Sequence, residues 1–423
     1  MRRLLPKIFR PLLSGKTSPF VFEPQEVTYP PNPSGINLYI HLPFCRQICP
    51  FCPYVKELYD PKKSAAYQRA IIKELEGYRG RWGEVNVESV YFGGGTPSLT
   101  PEIIGGTMEW IKGNFRLGSE IGAEVHPRDA TDPVLKSLKG SGVSLVSLGV
   151  QTFNDRLLEV LGRDYDSQLA EEACQRALGA GFDSVDIDLI FALPGQSLDE
   201  VTDDIVHALE LGAEQISTYP LMFFEYMPFR RELEMVKTDM PGRRAERNML
   251  NAIVETASAA GYQRTSIWSF NRPEARRYTT VTKDSFVGIG VGASTMMGNY
   301  FSVNTFSLPE YIGGTEKGLK PALATKLSDS DKLAYWLFWR CYDLAIDRGK
   351  LKELFGRGLP FPIRGLLPLL DGLGIIERKE DNIHLTKRGA YLFHLIEKEY
   401  THAYLERLWG ACLAEAWPKR VVI

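Results

Sequence analysis

The chain has 423 residues, 44% hydrophobic and 24% charged, an ordinary globular composition with length enough for two domains. Its formal net charge of −2 gives no bulk pull toward nucleic acid or anionic membranes, and no apolar run reaches the roughly 20 residues that span a bilayer. Six cysteines over this length are too few for a disulfide framework, which points to the cytoplasm and to thiols used for metal binding or catalysis.

Residues 1–36 read as an N-terminal extension. They mix basic and apolar residues without a long apolar core or a small-residue cleavage site, so a secretory signal is not expected. Pro6 and Pro11 interrupt any long membrane-surface helix there. From Asn37 onward, short β-branched or aromatic runs alternate with helical patterns. The expected strands are Leu38 to Leu42, Ser89 to Phe92, Ile121 to Val125, Leu145 to Val150, Ser184 to Phe191 and Gln215 to Leu221. Between them lie the expected helices Ser64 to Tyr78, Pro101 to Asn114, Pro133 to Lys139, Ser167 to Ala180 and Leu198 to Leu211. Repeated βα units of this kind predict an α/β fold with a parallel sheet and right-handed crossovers. No GxGxxG follows the first strand, so a partial (β/α)6 TIM-like barrel is expected rather than a dinucleotide-binding sheet.

Past Gly290 the alternation weakens. Gly288 to Ser294 reads as a glycine-rich turn and Tyr300 to Tyr311 as strand and loop. The barrel is expected over 37–300, a connecting segment over 301–327 and a winged-helix-like C-terminal domain over 328–423. That domain is read as helices Asp331 to Ala345 and Ile363 to Leu373, a hairpin Ile375 to Leu385 turning at Glu380-Asp381-Asn382, and a helix Lys387 to Ala416. Winged helices often bind DNA, but Ile363 to Leu373 carries only Arg364 where a recognition helix needs a basic stripe, so no nucleic-acid partner is expected.

The chemistry concentrates in the run Tyr39-Ile40-His41-Leu42-Pro43-Phe44-Cys45-Arg46-Gln47-Ile48-Cys49-Pro50-Phe51-Cys52. Three thiolates at C-x3-C-x2-C spacing can converge on a 4Fe–4S cubane and leave its fourth iron without a protein ligand. S-adenosylmethionine (SAM) can chelate that iron through its amino and carboxylate groups. Soft thiolates also suit zinc, but a structural zinc site needs four donors, and no second cysteine pair accompanies these three. A redox dithiol at Cys49 and Cys52 leaves Cys45 without a role. Cys174, Cys341 and Cys412 stand apart and read as small buried hydrophobes. The second strand ends in Gly93-Gly94-Gly95-Thr96-Pro97-Ser98, where missing side chains would let a small ligand approach the backbone. Cys45, Gly93 to Thr96, Glu124, Gln151 and Asp188 all fall at expected strand C-termini, the face on which a β/α barrel carries its chemistry.

Together these motifs resemble the oxygen-independent coproporphyrinogen III oxidase family of radical SAM proteins, which also holds heme chaperones and methylases. The resemblance runs over roughly residues 36–420. It is carried by the cysteine run, Phe92 to Pro97, Glu124-Val125-His126-Pro127, Ser147 to Phe153, Leu161-Gly162-Arg163, Asp188 to Gly195 and Leu385 to Gly389. It implies a 4Fe–4S cluster on Cys45, Cys49 and Cys52 and one or two molecules of SAM. Tyr39 and Phe51 would then pack near both, and Gly94, Gly95 and Thr96 would line the methionine part. Glu124, Gln151, Arg163 and Asp188 would meet the polar groups of SAM, a guanidinium suiting its carboxylate and carboxylates its ammonium or ribose. It further implies a small-molecule substrate, a porphyrinogen or heme among the candidates, and a reducing partner such as flavodoxin or ferredoxin.

Several departures narrow the reading. Pro53 and Tyr54 follow Cys52, where decarboxylase-type members carry a further cysteine, and residues 1–36 lack their Arg-Tyr-Thr-Ser-Tyr-Pro arm. Where the heme chaperones carry a His-Asn pair, this chain has Arg276-Arg277-Tyr278-Thr279-Thr280. Residues 1–36 do not fit a cobalamin-binding module, so B12-dependent methyl transfer is not expected. Tetrapyrrole chemistry, methyl transfer with two SAM molecules, and heme trafficking therefore stay open. Arg243, Arg244, Arg276 and Arg277 are candidates for substrate carboxylates, though charged pairs are usually only solvated.

Overall fold

The computed structural model describes residues 19–227, 240–277, 279, 282–318, 320–380 and 382–423. Residues 1–18 of the N-terminal extension, Tyr278, Thr280 and the hairpin residue Asp381 lie outside the described residues.

In chain order the elements begin with β1 (Val21–Phe22), β2 (Ile36–Leu42), β3 (Phe44–Cys45), β4 (Glu57–Leu58), α1 (Pro61–Trp82), β5 (Asn86–Gly94), α2 (Pro101–Asn114) and β6 (Arg116–Val125). There follow α3 (Asp132–Gly140), β7 (Leu145–Gln151), α4 (Asp155–Val160), α5 (Ser167–Gly179), β8 (Ser184–Phe191), α6 (Leu198–Leu211) and β9 (Gln215–Pro220). Local chemistry sets these boundaries. Asp60 caps α1 by accepting from the amides of Lys62 and Lys63, with Pro61 at the first helical position. Ser197 and Glu200 form a capping box on α6, which ends at Gly212 in the left-handed conformation, φ 87°.

The strands β2, β5, β6, β7, β8 and β9 pair in parallel, in that order. Helices cover the sheet, so its strands read as nearly continuous apolar runs. β8 begins and ends where the sequence places it, as do α2 and α6. The fold is of the expected mixed α/β class around a central parallel sheet. Two additions enlarge the sheet beyond the six expected strands. After α7 (Arg243–Ala259), the hairpin β10 (Gln263–Arg264) and β11 (Ser269–Asn271) adds antiparallel to β9. At the other edge β12 (Val287–Ile289) pairs in parallel with β2. The expected turn at Gly288 to Ser294 is thus corrected: its first residues are strand. A Val-Gly-Ile run of three has no readable period, and its glycine is used for contact, since a Cβ at Gly288 would lie 2.2 Å from the Ser294 carbonyl oxygen. The edge strands β10 and β12 do not pair with each other among the described residues, so the sheet is an open arc.

The remaining elements are β13 (Ser294–Met297), β14 (Tyr300–Val303), α8 (Leu308–Thr315), β15 (Leu323–Lys326), α9 (Asp329–Tyr342), β16 (Ala345–Ile346), α10 (Arg348–Phe355), α11 (Phe361–Gly372), β17 (Ile376–Lys379), β18 (Asn382–Leu385), α12 (Lys387–Ala414) and β19 (Val421–Val422). The sequence had read Tyr300 to Tyr311 as strand and loop; part of it is the start of α8. β16, β18 and β17 make a small sheet beside α9, α10 and α11. β19 pairs antiparallel with β1, joining the two ends of the described chain.

A buried polar chain ties α12 to the sheet. Trp268 Nε1 donates to His394 Nδ1 at 3.0 Å, so the ring proton sits on Nε2, which donates to Glu246 Oε1 at 3.0 Å. Lys398 also pairs with Glu246. Burial works against the Glu246 charge, yet the His394 hydrogen bond and the Lys398 ammonium hold its carboxyl down to about 2. A carboxylate lowered on folding stabilises the protein above its unfolded value, about 4.3. That contribution fades as pH falls through the folded value. Glu246→Gln is therefore expected to destabilise by about 2–3 kcal/mol at pH 7. The difference from the parent should narrow in thermal unfolding below pH 4.

Candidate functional site: a thiol loop at the mouth of the sheet

The cysteine run begins where β2 ends. β3 pairs in parallel with β4, Phe44 opposite Glu57 and Cys45 opposite Leu58. Glu57 N donates to Pro43 O at 2.8 Å and Tyr59 N to Cys45 O at 2.9 Å. These bonds close residues 46–56 into a loop that carries Cys49 and Cys52, with Cys52 N on Cys49 O at 3.3 Å. Cys45 is buried, and Cys49 and Cys52 are half-buried. Burial pushes the Cys45 thiol up to about 12 and raises that of Cys52, so deprotonation there needs a cation to compensate it. Two donors already address the sulfurs: Thr96 Oγ1 lies 3.5 Å from Cys45 Sγ and Arg163 Nη1 3.4 Å from Cys49 Sγ.

The glycine run has a packing role that its sequence does not reveal. The space beside each glycine is filled by protein. A Cβ at Gly93 would lie 2.9 Å from Glu124 Oε1, one at Gly94 2.6 Å from the His41 ring, and one at Gly95 2.6 Å from the Pro43 backbone and 2.9 Å from Cys45 Sγ. The three glycines bring the end of β5 directly against the thiol loop. Gly94 also takes φ 125°, which side chains rarely adopt.

Glu124 ends β6 and accepts from Tyr91 OH at 2.9 Å and Gly94 N at 3.0 Å. Burial raises its pKa, and those two bonds oppose the rise. Gln151 ends β7 beside a register shift, with φ 72°, a strained value for a residue with a side chain. Asp188, on β8, accepts from Ser147 Oγ. Its carboxyl is raised well above the usual range by burial and then by the charge of Asp186. Tyr39 stacks on Tyr91 at 6.0 Å, and its hydroxyl meets His41 Nδ1 at 3.0 Å. Phe51 packs with Leu157, Leu161, Leu193 and Leu221.

Arg163 is more committed than its sequence position implies. Nη2 donates to Gly149 O at 2.6 Å and Nε to Tyr165 OH at 3.1 Å, while the guanidinium lies 5.6 Å from the Phe51 ring centre and 5.3 Å from that of Tyr165. In the described structure it braces the thiol loop against the end of β7.

The expected cluster ligands and SAM contacts, Tyr39, Cys45, Cys49, Phe51, Cys52, Gly94, Gly95, Thr96, Glu124, Gln151, Arg163 and Asp188, all line one cavity of about 770 Å³. Its size suits a cofactor together with a substrate. Sequence reasoning missed Asp186, which shares a strand face with Asp188 and accepts from Ser217 Oγ at 2.8 Å and Gln215 Nε2 at 3.0 Å. The i, i+2 spacing of two acids inside an apolar strand is the signal that could have found it. Of the basic candidates, Arg243 and Arg244 are exposed and not part of the lining, and Arg276 bonds Ser119 and Asp183 instead. Arg277 reaches the cavity but is paired with Asp343.

The donor set fits a cluster better than a single ion. No three Cys, His, Asp or Glu side chains converge on one metal position among the described residues. A zinc site needs such convergence, whereas a cubane takes each thiolate on a different iron. His41, the nearest imidazole, is occupied by Tyr39 OH and, at 2.8 Å, by Val55 O.

Comparison with known proteins agrees with this geometry. Residues 39–207 match the model of the radical SAM superfamily. The heme chaperone HemW of Bacillus subtilis is 29% identical over 84% of this chain and 96% of its own length. The oxygen-independent coproporphyrinogen III oxidase of Escherichia coli is 28% identical over 67% of this chain and 65% of its own length. The solved structure of coproporphyrinogen III oxidase from Escherichia coli, described as a radical SAM enzyme, superposes with a TM-score of 0.74 at 24% identity. That match covers 86% of this chain and 90% of the solved one, and shows the shared fold. Residues 39–207 thus carry a radical SAM domain, and the chain around it is similar to the HemW heme chaperones and the oxygen-independent coproporphyrinogen III oxidases.

Proposed function

We propose that this protein is a radical SAM enzyme acting on a tetrapyrrole or a related macrocycle. The observation that carries the reading is one cavity lined together by the thiol loop, the strand-end acids and aromatic side chains of α9 and α12. Cys45, Cys49 and Cys52 would hold three irons of a 4Fe–4S cluster and leave the fourth to SAM. A bound cluster, given one electron by a reductant, would supply reductive cleavage of SAM to methionine and a 5′-deoxyadenosyl radical able to take hydrogen from substrate. The chain's own residues supply the setting. Thr96 and Arg163 direct donors at two cluster sulfurs, and the edge from Gly94 to Thr96 offers backbone groups to the methionine part. Glu124, Gln151 and Asp188 meet the polar groups of one or two SAM molecules, with Tyr39 and Phe51 packed alongside.

The reductant would be a flavodoxin- or ferredoxin-like protein, and the compartment the cytoplasm, in keeping with six free thiols. No helix among the described residues is long and apolar enough to cross a membrane.

A second reading is heme trafficking, favoured by the name of the HemW relatives. Against histidine ligation of heme in this cavity, its lining among the described residues holds only His41 and His126. His41 is occupied on both ring nitrogens, and His126 Nδ1 accepts from Arg128 N at 3.2 Å. The experiment is anaerobic reconstitution with iron and sulfide, then incubation with SAM, dithionite and coproporphyrinogen III, read by mass spectrometry. Substrate-dependent 5′-deoxyadenosine is the expected result. Accompanying S-adenosylhomocysteine would assign methyl transfer. Stoichiometric heme uptake without SAM cleavage would sink the enzyme reading in favour of the chaperone.

A further inference from the structure

The aromatic end of the cavity contains a carboxylate that the fold does not use. Glu397 lies on the buried stripe of α12, one turn from Phe393 and one from Thr401, where helical periodicity calls for an apolar residue. It is 6% exposed and lines the cavity with Phe338 and Tyr342 of α9 and Tyr400 of α12. Its one hydrogen-bond donor among the described residues is Thr401 Oγ1, 3.0 Å from Oε1. Oε2 is buried and has no partner there. A buried carboxylate oxygen left unpaired is unfavourable, and such a group calls for a donor.

The five cations of the lining do not answer it. Arg46 pairs with Asp129, Lys283 with Glu120 and Arg277 with Asp343. Lys56 donates to the Cys52 and Tyr54 carbonyls, and Arg163 to Gly149 and Cys49. The described wall therefore offers Glu397 as an acceptor at its aromatic end, with none of these cations bonded to it.

We propose that Glu397 selects the substrate's oxidation level, by accepting the ring N–H groups of a reduced, porphyrinogen-type polypyrrole. This rests on the tetrapyrrole reading and deepens it. In a porphyrinogen the bridging carbons are saturated, so each pyrrole can tilt and turn its N–H out of the mean plane toward one anion. In the oxidised porphyrin the ring is flat and conjugated, and its inner N–H groups point at each other's nitrogens. A carboxylate facing the ring therefore distinguishes the two while their peripheral side chains are identical. Phe338 and Tyr400, with ring centres 4.5 Å apart, supply apolar surface beside the carboxylate. Burial pushes Glu397 up to about 7, with Thr401 opposing, and N–H donors would replace the solvation that burial removed.

The test is anaerobic calorimetric titration of the reconstituted protein with coproporphyrinogen III and with coproporphyrin III, which carry the same four carboxylates. The parent is expected to bind the porphyrinogen at least tenfold more tightly. In Glu397→Gln, which keeps shape and removes charge, and in Glu397→Leu, that preference should shrink to less than threefold, mainly by weaker porphyrinogen binding. Near-UV circular dichroism checks that both variants keep the packed α9–α12 wall. Parent protein that binds neither tetrapyrrole overturns the tetrapyrrole reading, and this assignment with it. A parent without preference, variants that keep it, or variants that lose both ligands equally overturn the role of Glu397 alone.

Discussion

Alanine at Cys45 is expected to give a folded protein that retains no complete cluster and loses SAM cleavage by more than the 10- to 100-fold, roughly, that loss of an outer-shell partner brings. The reason is positional. Cys45 is the buried member of the three, fixed by the β3–β4 pair and addressed by Thr96, so no neighbouring side chain can take its place. Iron content and the visible absorbance of the cluster should fall together. Cys49→Ala and Cys52→Ala should behave alike, since in the proposed ligation each thiol would serve a different iron. Alanine at Cys174 is the control. That thiol lies on the buried face of α5, and burial, with the Glu171 charge adding to it, pushes it up to about 12, as expected of a packing residue. A Cys45→Ala protein that keeps full iron and SAM cleavage would refute the thiol assignment.

Gly95→Ala is expected to do comparable damage with a single methyl group. Its Cβ would lie 2.6 Å from the Pro43 carbonyl and 2.9 Å from Cys45 Sγ, and neither can retreat, because Gly95 N holds Leu42 O at 2.8 Å and Thr96 N holds Phe44 O at 2.9 Å. Overpacking of this kind costs about 1–3 kcal/mol, and here the strain falls on a cluster thiol. Iron retention and SAM cleavage should drop further than the melting temperature suggests. Gly77→Ala in α1 makes the contrast, since a Cβ there meets nothing within 4 Å. It should stabilise by up to about 1 kcal/mol through helix propensity. If Gly95→Ala keeps normal cluster content, the glycine run is not what seats the loop.

Much of the fold was legible because its signals are local. β8, α2 and α6 could be bounded to the residue: an apolar run between turns marks the strand, Pro101 starts one helix, and the Ser197–Glu200 box and Gly212 frame the other. α7 was missed because its opening Arg243-Arg244 reads as a solvated charge pair, although Met249, Leu250, Ile253 and Ala257 form a buried stripe. The thiols and strand-end residues could be found because each stands next to a recognisable strand. The sequence could not say why the glycines are there, since Pro43, Cys45 and His41 approach them only in the folded chain. Glu397 was invisible for a similar reason. In Glu397-Lys398-Glu399 only the rotation of α12 decides which acid turns inward.

The placement of α12 also orders events during synthesis. The thiol loop, the end of β5 and Glu124 are complete once residue 125 has emerged. Trp409, whose ring lies 5.7 Å from that of Tyr54 beside the third thiol, follows almost three hundred residues later. A growing chain thus presents its cysteines to solvent, and to any cluster donor, before the helix that walls the cavity exists.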